Sequence, residues 1–376
     1  MRRVLIDGTT ISRQIDGLTQ YILNVLVHWE IQEGYSYTLI VRPNACPPPY
    51  LQLLEKKGFH IECVNIAPIG PLRDIQFAFY LSKSRSYDAA IIPSNQFPIA
   101  LRIPSIYTIH DLIYERFPGQ LGALSVLKRW YLRMVTHVGL RRAHHVVAVS
   151  QYTRDEILRY HGQEFQEKID VVHEGWEHLQ MTDNVAREFP RDVPYKNYIL
   201  YVGSSREHKN LGRLIQAIRQ CSSLLPADWG FVLVGDKKKL LRKHQQEISK
   251  INQERDLIYL TGWMDDACLV NYYRYARALI LPSLCEGFGI PVLEAYYYHL
   301  PLLLSNQSSL PEVASDAAMF FNPYDVNDMV RTIIELVENP CRESLITREI
   351  ERLSSFSWNK SAMQQRELLE TLWQRK

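Results

Sequence analysis

Glu286 and Glu294 bracket a loop with little side-chain cover: Gly287 and Gly289 lie between them, alongside Phe288 and Ile290. Glycine amides at a helix start suit anionic oxygens, because the unpaired N–H groups and the helix dipole both favour negative charge. Carboxylates accept hydrogen bonds in pairs, which suits sugar and ribose hydroxyls better than phosphate. A ligand carrying both kinds of group is implied. Earlier in the chain, Gly203-Ser204-Ser205-Arg206-Glu207-His208-Lys209-Asn210 sets two cations beside another helix start. Arg206 offers a fork for phosphate oxygens and Lys209 a point charge. A cation at a helix N-terminus is mildly unfavourable, and a bound anion would offset that cost. Each charge-assisted hydrogen bond contributes about 1.5–3 kcal/mol, so the two could hold a diphosphate without a metal ion.

The elements that must position these residues follow one pattern. Residues 278–281 are a short apolar run suited to a buried parallel strand, and Pro291 suits the first position of a helix. Residues 198–202 likewise run into Gly203, and residues 4–6 into a loop containing Gly8 and Gly17, followed by an amphipathic helix over about 18–29. Further strands are expected at 37–41, 61–64, 89–93, 105–109, 145–149, 231–234 and 257–260, with helices between. Such alternation argues for parallel sheets covered on both faces, with ligands outside the carboxyl ends of the strands. His110 stands at one such end, where it can donate to a sugar hydroxyl or stabilise charge near a reacting carbon; a histidine satisfied within its loop by Asp111 is the alternative. Thr153-Arg154-Asp155-Glu156 reads as a capping box, Ser150 as a structural loop residue, and Asp265 and Asp266 as helix caps. Residues 176–196, polar and carrying Pro190 and Pro194, read as an interdomain linker. Helices are expected near 326–337, 343–353 and 358–376.

The string Glu286-Gly287-Phe288-Gly289-Ile290-Pro291-Val292-Leu293-Glu294-Ala295 resembles the E-x7-E signature of the retaining GT-B glycosyltransferases grouped as family 4. Ser305-Asn306-Gln307-Ser308-Ser309-Leu310-Pro311-Glu312-Val313, Thr108-Ile109-His110-Asp111-Leu112, and the G-x5-K-N spacing of Gly203, Lys209 and Asn210 are similar to further segments of that family. The sequence departs from the family pattern at Tyr297-Tyr298-His299-Leu300-Pro301, where a small Gly-containing turn is usual, and at Thr19 and Gln20, so that only Gly17 carries over from the N-terminal glycine loop. The resemblance implies two Rossmann-like α/β domains facing across a cleft: an acceptor domain over 1–178, with 357–376 crossing back to it, and a donor domain over 179–356. It also implies roles. Glu294 would hold ribose hydroxyls, Arg206 and Lys209 the diphosphate, and Glu286 with the amides of 287–290 the donor sugar; Gly17 and Gly203 would admit the donor, and His110 would act at the reacting centre, with Asp111 orienting or capping. The implied activity is retaining transfer of a hexose or N-acetylhexosamine from a nucleoside-diphosphate sugar to a glycan or lipid-linked acceptor, commonly in surface-polysaccharide synthesis. No cofactor or metal is implied.

Composition limits the alternatives. The chain has 376 residues, enough for two domains, and a formal charge of +2, and its cations are not clustered on a recognisable nucleic-acid module. It contains no D-x-D triplet, which argues against the metal-dependent donor site of the other major glycosyltransferase architecture. Six scattered cysteines, at 46, 63, 221, 268, 285 and 341, lack metal-site spacing and read as reduced thiols; Cys285 reads as a wall residue. No apolar run of eighteen residues occurs and the N-terminus lacks a signal-peptide pattern, so a cytoplasmic protein is expected. Residues 124–142 form a helix with Lys128, Arg129, Arg133, Arg141 and Arg142 interleaved with Trp130, Tyr131 and Leu132. This is either a solvated face or a basic stripe resting on the inner face of an anionic membrane. Two other functions are open on the sequence: a non-catalytic nucleotide-sugar binder, and a nucleotide-cofactor oxidoreductase, the latter weakened because Val292 stands where G-x-G-x-x-G needs a small residue.

Overall fold

Short runs of aliphatic and aromatic residues, buried along their whole length in five of the thirteen strands among the described residues, build two separate parallel sheets. A computed structural model describes the chain apart from residues 85, 123, 183, 236, 238, 239, 340–342 and 374–376. The chain divides into two units, one made of Met1–Gly175 with Ser357–Lys376 and the other of Trp176–Phe356. Cys341, residue 183 of the expected linker and residues 374–376 of the expected last helix lie outside the described residues.

In the first unit the strands are β1 (Arg2–Asp7), β2 (Tyr35–Val41), β3 (His60–Cys63), β4 (Ala89–Ile92), β5 (Ser105–Ile109), β6 (His145–Ala148) and β7 (Ile169–Val171). They pair in parallel in the order β3-β2-β1-β4-β5-β6-β7. The helices are α1 (Gly17–Val27), α2 (Pro48–Lys57), α3 (Pro71–Lys83), α4 (Ile113–Arg116), α5 (Ser125–Arg142) and α6 (Gln151–His161). Right-handed crossovers on a sheet whose strand order reverses between β1 and β4 put α1 and α2 on one face and α3, α5 and α6 on the other. One apolar core accordingly joins Phe77 of α3, Val135 and Leu140 of α5 and Ile157 of α6 to Ile92, Tyr107 and Val146 of the sheet.

The second unit holds β8 (Asn197–Val202), β9 (Trp229–Val234), β10 (Ile258–Gly262), β11 (Ala278–Leu281), β12 (Leu302–Ser305) and β13 (Met319–Phe321), parallel and in the order β10-β9-β8-β11-β12-β13. Its helices are α7 (Leu211–Cys221), α8 (Arg242–Glu254), α9 (Asp266–Tyr275), α10 (Ile290–Tyr297), α11 (Leu310–Ala314), α12 (Val326–Glu338) and α13 (Glu343–Leu353). The strand order reverses between β8 and β11, so the carboxyl ends of those two strands form the crevice where open α/β sheets bind ligands. The last helix, α14 (Trp358–Thr371), packs on α1 and β5 of the first unit, with Trp358 fully buried edge-on to Tyr21.

Several expectations need correction. Residues 176–196 are not a free linker: Leu179, Val193 and Tyr195 are buried, and Asn271 and Arg274 donate to the Ala186 and Val185 carbonyls. The prolines there punctuate a segment that wraps its own unit. The helix α6 starts at Gln151 because Ser150, not Thr153, is its cap, accepting from the Thr153 amide at 3.0 Å. Strands β7, β12 and β13 were not expected. The five described cysteines are free thiols. The basic stripe of α5 is partly consumed within its own unit, where Arg129 donates twice to the fully buried Glu115 carboxylate and Arg133 lies 3.7 Å from it. Among the described residues no helix is long and apolar enough to cross a membrane.

Candidate functional site

The E-x7-E loop leaves β11, and its geometry depends on one left-handed residue. Gly289, at φ +106°, caps α10 and turns the chain into that helix, with Pro291 in the first turn. A Cβ on Gly289 would stand 2.9 Å from the buried Leu310 side chain. Gly289→Ala is therefore expected to lower stability by about 1–2 kcal/mol through backbone strain and crowding, measured by urea unfolding. An unchanged midpoint would mean the turn relaxes freely.

The Ser308-Ser309 pair, just ahead of α11, braces this loop. The Glu286 amide donates to Ser308 Oγ at 3.1 Å, and the Ser309 hydroxyl shares its proton between the Phe288 and Glu286 carbonyls, at 2.7 and 3.1 Å. Glu286 is 8 % exposed, and its carboxylate accepts from Ser283 Oγ at 2.6 Å and from Lys209 Nζ at 2.7 and 2.9 Å. Burial pushes the Glu286 carboxyl up, but the Lys209 charge and hydrogen bonds, then Ser283 and the nearby His208, together hold it below the ordinary carboxylate range. Buried His208 is pushed down to about 4, by burial first and then by Lys209, so it is neutral near pH 7.

Lys209 reaches Glu286 because the carboxyl ends of β8 and β11 are neighbours. Asn210 joins those ends: in a left-handed conformation at φ +57°, its amide donates to the Pro282 and Pro323 carbonyls at 3.0 and 2.8 Å. The asparagine quoted in the sequence motif is thus a clasp. Arg206 is exposed at the head of the same turn; its carbonyl accepts from the Lys209 amide at 2.9 Å, and its guanidinium makes no hydrogen bond or ion pair with a described residue. Gly203 follows β8, its amide donating to the Val234 carbonyl at 3.0 Å. Glu294 lies on α10, where Tyr273 Oη donates to one of its oxygens and His178 Nε2 lies 3.8 Å from the other; Tyr298 stacks on Tyr273. His299 takes φ +56°, so the unusual Tyr297–Pro301 stretch keeps a left-handed turn without a glycine.

The structure thus gathers Gly203, Lys209, Glu286 and the 287–290 loop at one switch point, with Arg206 exposed beside them and Glu294 on the helix that follows. Gly17 and His110 belong to the other unit. Gly17 opens α1 behind its cap Asp16, and a Cβ there would meet no atom within 4 Å, so packing does not demand glycine. His110 follows β5. Its amide donates to Asn95 Oδ1 at 2.7 Å, its carbonyl accepts from Thr153 Oγ1 at 3.1 Å, and its ring meets the Tyr21 ring edge-on at 4.5 Å. Nε2 lies 3.1 Å from the Pro93 carbonyl and Nδ1 3.7 Å from the buried Glu174 carboxylate. Asp111, one residue before the Leu112 cap position of α4, accepts from the Ile113 amide at 3.1 Å. Ser283, His208, Tyr273, His178 and Glu174 carried no signal in the sequence; Ser308 and Ser309 did, within the S-S-L-P-E string. Among the described residues no group of three or more His, Cys, Asp or Glu side chains is placed to hold a metal ion.

Residues 185–352 match the family described as Glycosyl transferases group 1, and residues 15–178 match Glycosyltransferase Family 4. The chain is 28% identical over 247 residues to the O-antigen chain mannosyltransferase B of Escherichia coli, covering 62% of this chain and 62% of that protein. It is 27% identical over 323 residues to the serotype-specific mannosyltransferase WbdA of Escherichia coli, covering 80% of this chain and 37% of that one. The chain therefore spans less than two thirds of the length of either relative. Sucrose-phosphate synthase from Thermosynechococcus elongatus superposes with a TM-score of 0.77 at 18% identity, over 100% of both chains. This chain is a GT-B-fold protein related over residues 15–178 to the family 4 and over residues 185–352 to the group 1 glycosyltransferases.

Proposed function

We propose that the protein is a metal-independent, family 4-like glycosyltransferase that moves a hexose from a nucleoside-diphosphate sugar to a glycan or lipid-linked acceptor in surface-polysaccharide synthesis, with retention of anomeric configuration. The observation that carries this reading is the Lys209–Glu286 pair, seated at the β8/β11 switch point and braced by Ser283, Ser308 and Ser309. An ammonium has three N–H donors. Two are spent on Glu286, which aims the third, and Arg206 beside it is uncommitted. Breaking the anomeric bond leaves a nucleoside diphosphate, and fixed cations stabilise that growing charge more than they stabilise the bound substrate. Glu294 would take the ribose hydroxyls and Glu286 with the 287–290 amides the sugar. Gly17, with open space at its Cα, would let the donor approach the start of α1. The first unit would bind the acceptor, and the protein would work on the cytoplasmic side of a membrane. An inverted product anomer by NMR would remove the retaining mechanism.

The E. coli relatives named above are mannosyltransferases, which makes a GDP-linked hexose the first donor to try. Calorimetry with GDP, UDP and ADP, and with NAD as control, is expected to show one nucleoside diphosphate binding selectively, with about tenfold or greater loss in Glu294→Ala as charge-assisted hydrogen bonds disappear. Binding of NAD alone would favour the oxidoreductase instead. Tight donor binding with no turnover on any acceptor would favour a non-catalytic binder.

A further inference from the structure

The carboxylate of Glu294 rests against a cluster of aromatic rings in the second unit. Tyr273, near the end of α9, is 2 % exposed and donates its hydroxyl to one Glu294 oxygen. The other oxygen lies 3.8 Å from His178 Nε2, beyond hydrogen-bond length. A carboxylate offers about four acceptor positions, so one phenol leaves both oxygens able to take further donors. The Glu294 side chain is itself 16 % exposed. The phenol therefore holds the carboxylate from the buried side, and a ligand would meet it from the solvent side.

The Tyr273 ring is in turn held by the residues that end α10. Tyr298 stacks on it with ring centroids 5.6 Å apart and 24° between the planes. Tyr297 meets Tyr298 edge-on at 5.1 Å, the Trp176 ring lies 5.2 Å from Tyr297, and the Arg274 guanidinium stands 5.9 Å over the Tyr298 face. Stacked and edge-on aromatic pairs stabilise beyond the area they bury, and each fixes the direction of the next ring. Tyr297 and Tyr298 belong to the stretch in which this sequence departs from the small, Gly-containing turn usual in family 4. A small residue at position 298 would give Tyr273 no face to lie on. The departure thus has a physical consequence one contact away from Glu294.

We propose that Tyr273 and Tyr298 are positioning residues for ribose recognition: Tyr298 fixes the Tyr273 ring, and the Tyr273 hydroxyl fixes the Glu294 carboxylate for the vicinal hydroxyls of a nucleoside diphosphate. Neither tyrosine touches the nucleotide in this arrangement. A glutamate loses rotamer freedom when it engages a ligand, and holding it in place beforehand removes that cost from binding. The inference deepens the proposed function and rests on its assignment of Glu294 to the ribose.

Calorimetry on the full chain tests it, with GDP, UDP and ADP and the 2′-deoxy form of each. The wild type is expected to bind the ribose form of its preferred nucleotide about tenfold or more tightly than the 2′-deoxy form, the loss expected for one hydrogen bond to a charged group. Tyr273→Phe keeps the ring and its stack but removes the hydroxyl; it should narrow that preference to about threefold or less while binding the 2′-deoxy nucleotide as the wild type does. Tyr298→Ala should narrow the preference in the same direction and Tyr298→Phe should retain it, so the Tyr298 pair decides the matter if Tyr273→Phe does not fold. A full ribose preference in Tyr273→Phe and Tyr298→Ala would overturn the proposal. Equal weakening of both nucleotide forms would also overturn it, because it would make the rings a packing support for α10. A wild type that binds one nucleoside diphosphate selectively but without ribose preference would overturn it and leave the transferase reading standing. A wild type that binds none of the three would overturn both.

Discussion

Lys209→Ala is expected to lower turnover by about 10²–10³-fold and weaken nucleoside-diphosphate binding, while also destabilising the second unit by roughly 3 kcal/mol. The two effects have different origins. The catalytic loss would come, on the proposed function, from removing a fixed cation from the departing diphosphate; the stability loss would come from leaving Glu286, 8 % exposed, with a buried charge that has lost its ammonium partner and keeps the Ser283 hydrogen bond. A double variant separates them. Lys209→Met/Glu286→Gln removes the orphaned charge and should recover most of the stability, since a buried pair replaced as a unit often costs little, yet it should not recover turnover. Denaturant unfolding and release of nucleoside diphosphate from the active donor are the readouts. Normal turnover in Lys209→Ala would reduce the pair to a structural brace.

The same pair gives the second unit an acid limb. Because the folded-state Glu286 sits below its ordinary value, its contribution is fully present above the unfolded carboxylate range and is lost as pH falls through the folded one. His208 acts in the same direction by another route: pushed from 6.5 to about 4, it resists a proton that the unfolded chain accepts, so stability falls between those two values as pH drops. Lys209→Ala should flatten the first limb and leave much of the second.

What the sequence could disclose was local. Gly289 and Pro291 mark a glycine turn into a helix through their own backbone preferences, and the structure puts the left-handed residue at Gly289. The strands read best where four or more apolar residues run together, as in β11. The three-residue strands β7 and β13 carry too short a pattern to stand out, and β12 lies within residues 300–305, a run broken by Pro301. Residues 176–196 read as linker because polar side chains and prolines outnumber Leu179, Val193 and Tyr195, and burial of those three is a tertiary fact. The pairings were out of reach for the same reason. Lys209 and Glu286 are 77 residues apart and meet only because β8 and β11 are adjacent at the reversal of strand order. Asn210 showed only as a letter in a motif until Pro282 and Pro323 supplied its acceptors. On α5 the cations were legible, but Glu115, which takes Arg129, was not.

His110→Ala is expected to reduce turnover by about 10²-fold or more while leaving nucleoside-diphosphate affinity unchanged. The contrast with Lys209 is the point of the experiment, because a group acting on the sugar or the reacting carbon should not contribute to binding of a nucleotide that lacks the sugar. His110 is firmly held. Its amide and carbonyl are both fixed, Tyr21 meets its ring edge-on, and the Pro93 carbonyl at 3.1 Å sets the ring's direction. Glu174, 3.7 Å from Nδ1, is too far for a hydrogen bond but near enough to bias the ring's orientation, so it is proposed as a positioning residue. Glu174→Gln should cost roughly tenfold in kcat with little change in KM, and His110→Asn should restore part of the loss if the ring's main task is to donate a hydrogen bond. A wild-type rate in His110→Ala would make His110 a packing partner of Tyr21 and move the reaction's protein groups entirely onto the second unit. A loss in His110→Ala that appears only as unfolding, with the residual folded protein fully active, would lead to the same conclusion. The proposed role therefore requires a lower kcat in protein whose thermal midpoint and nucleotide affinity match the wild type.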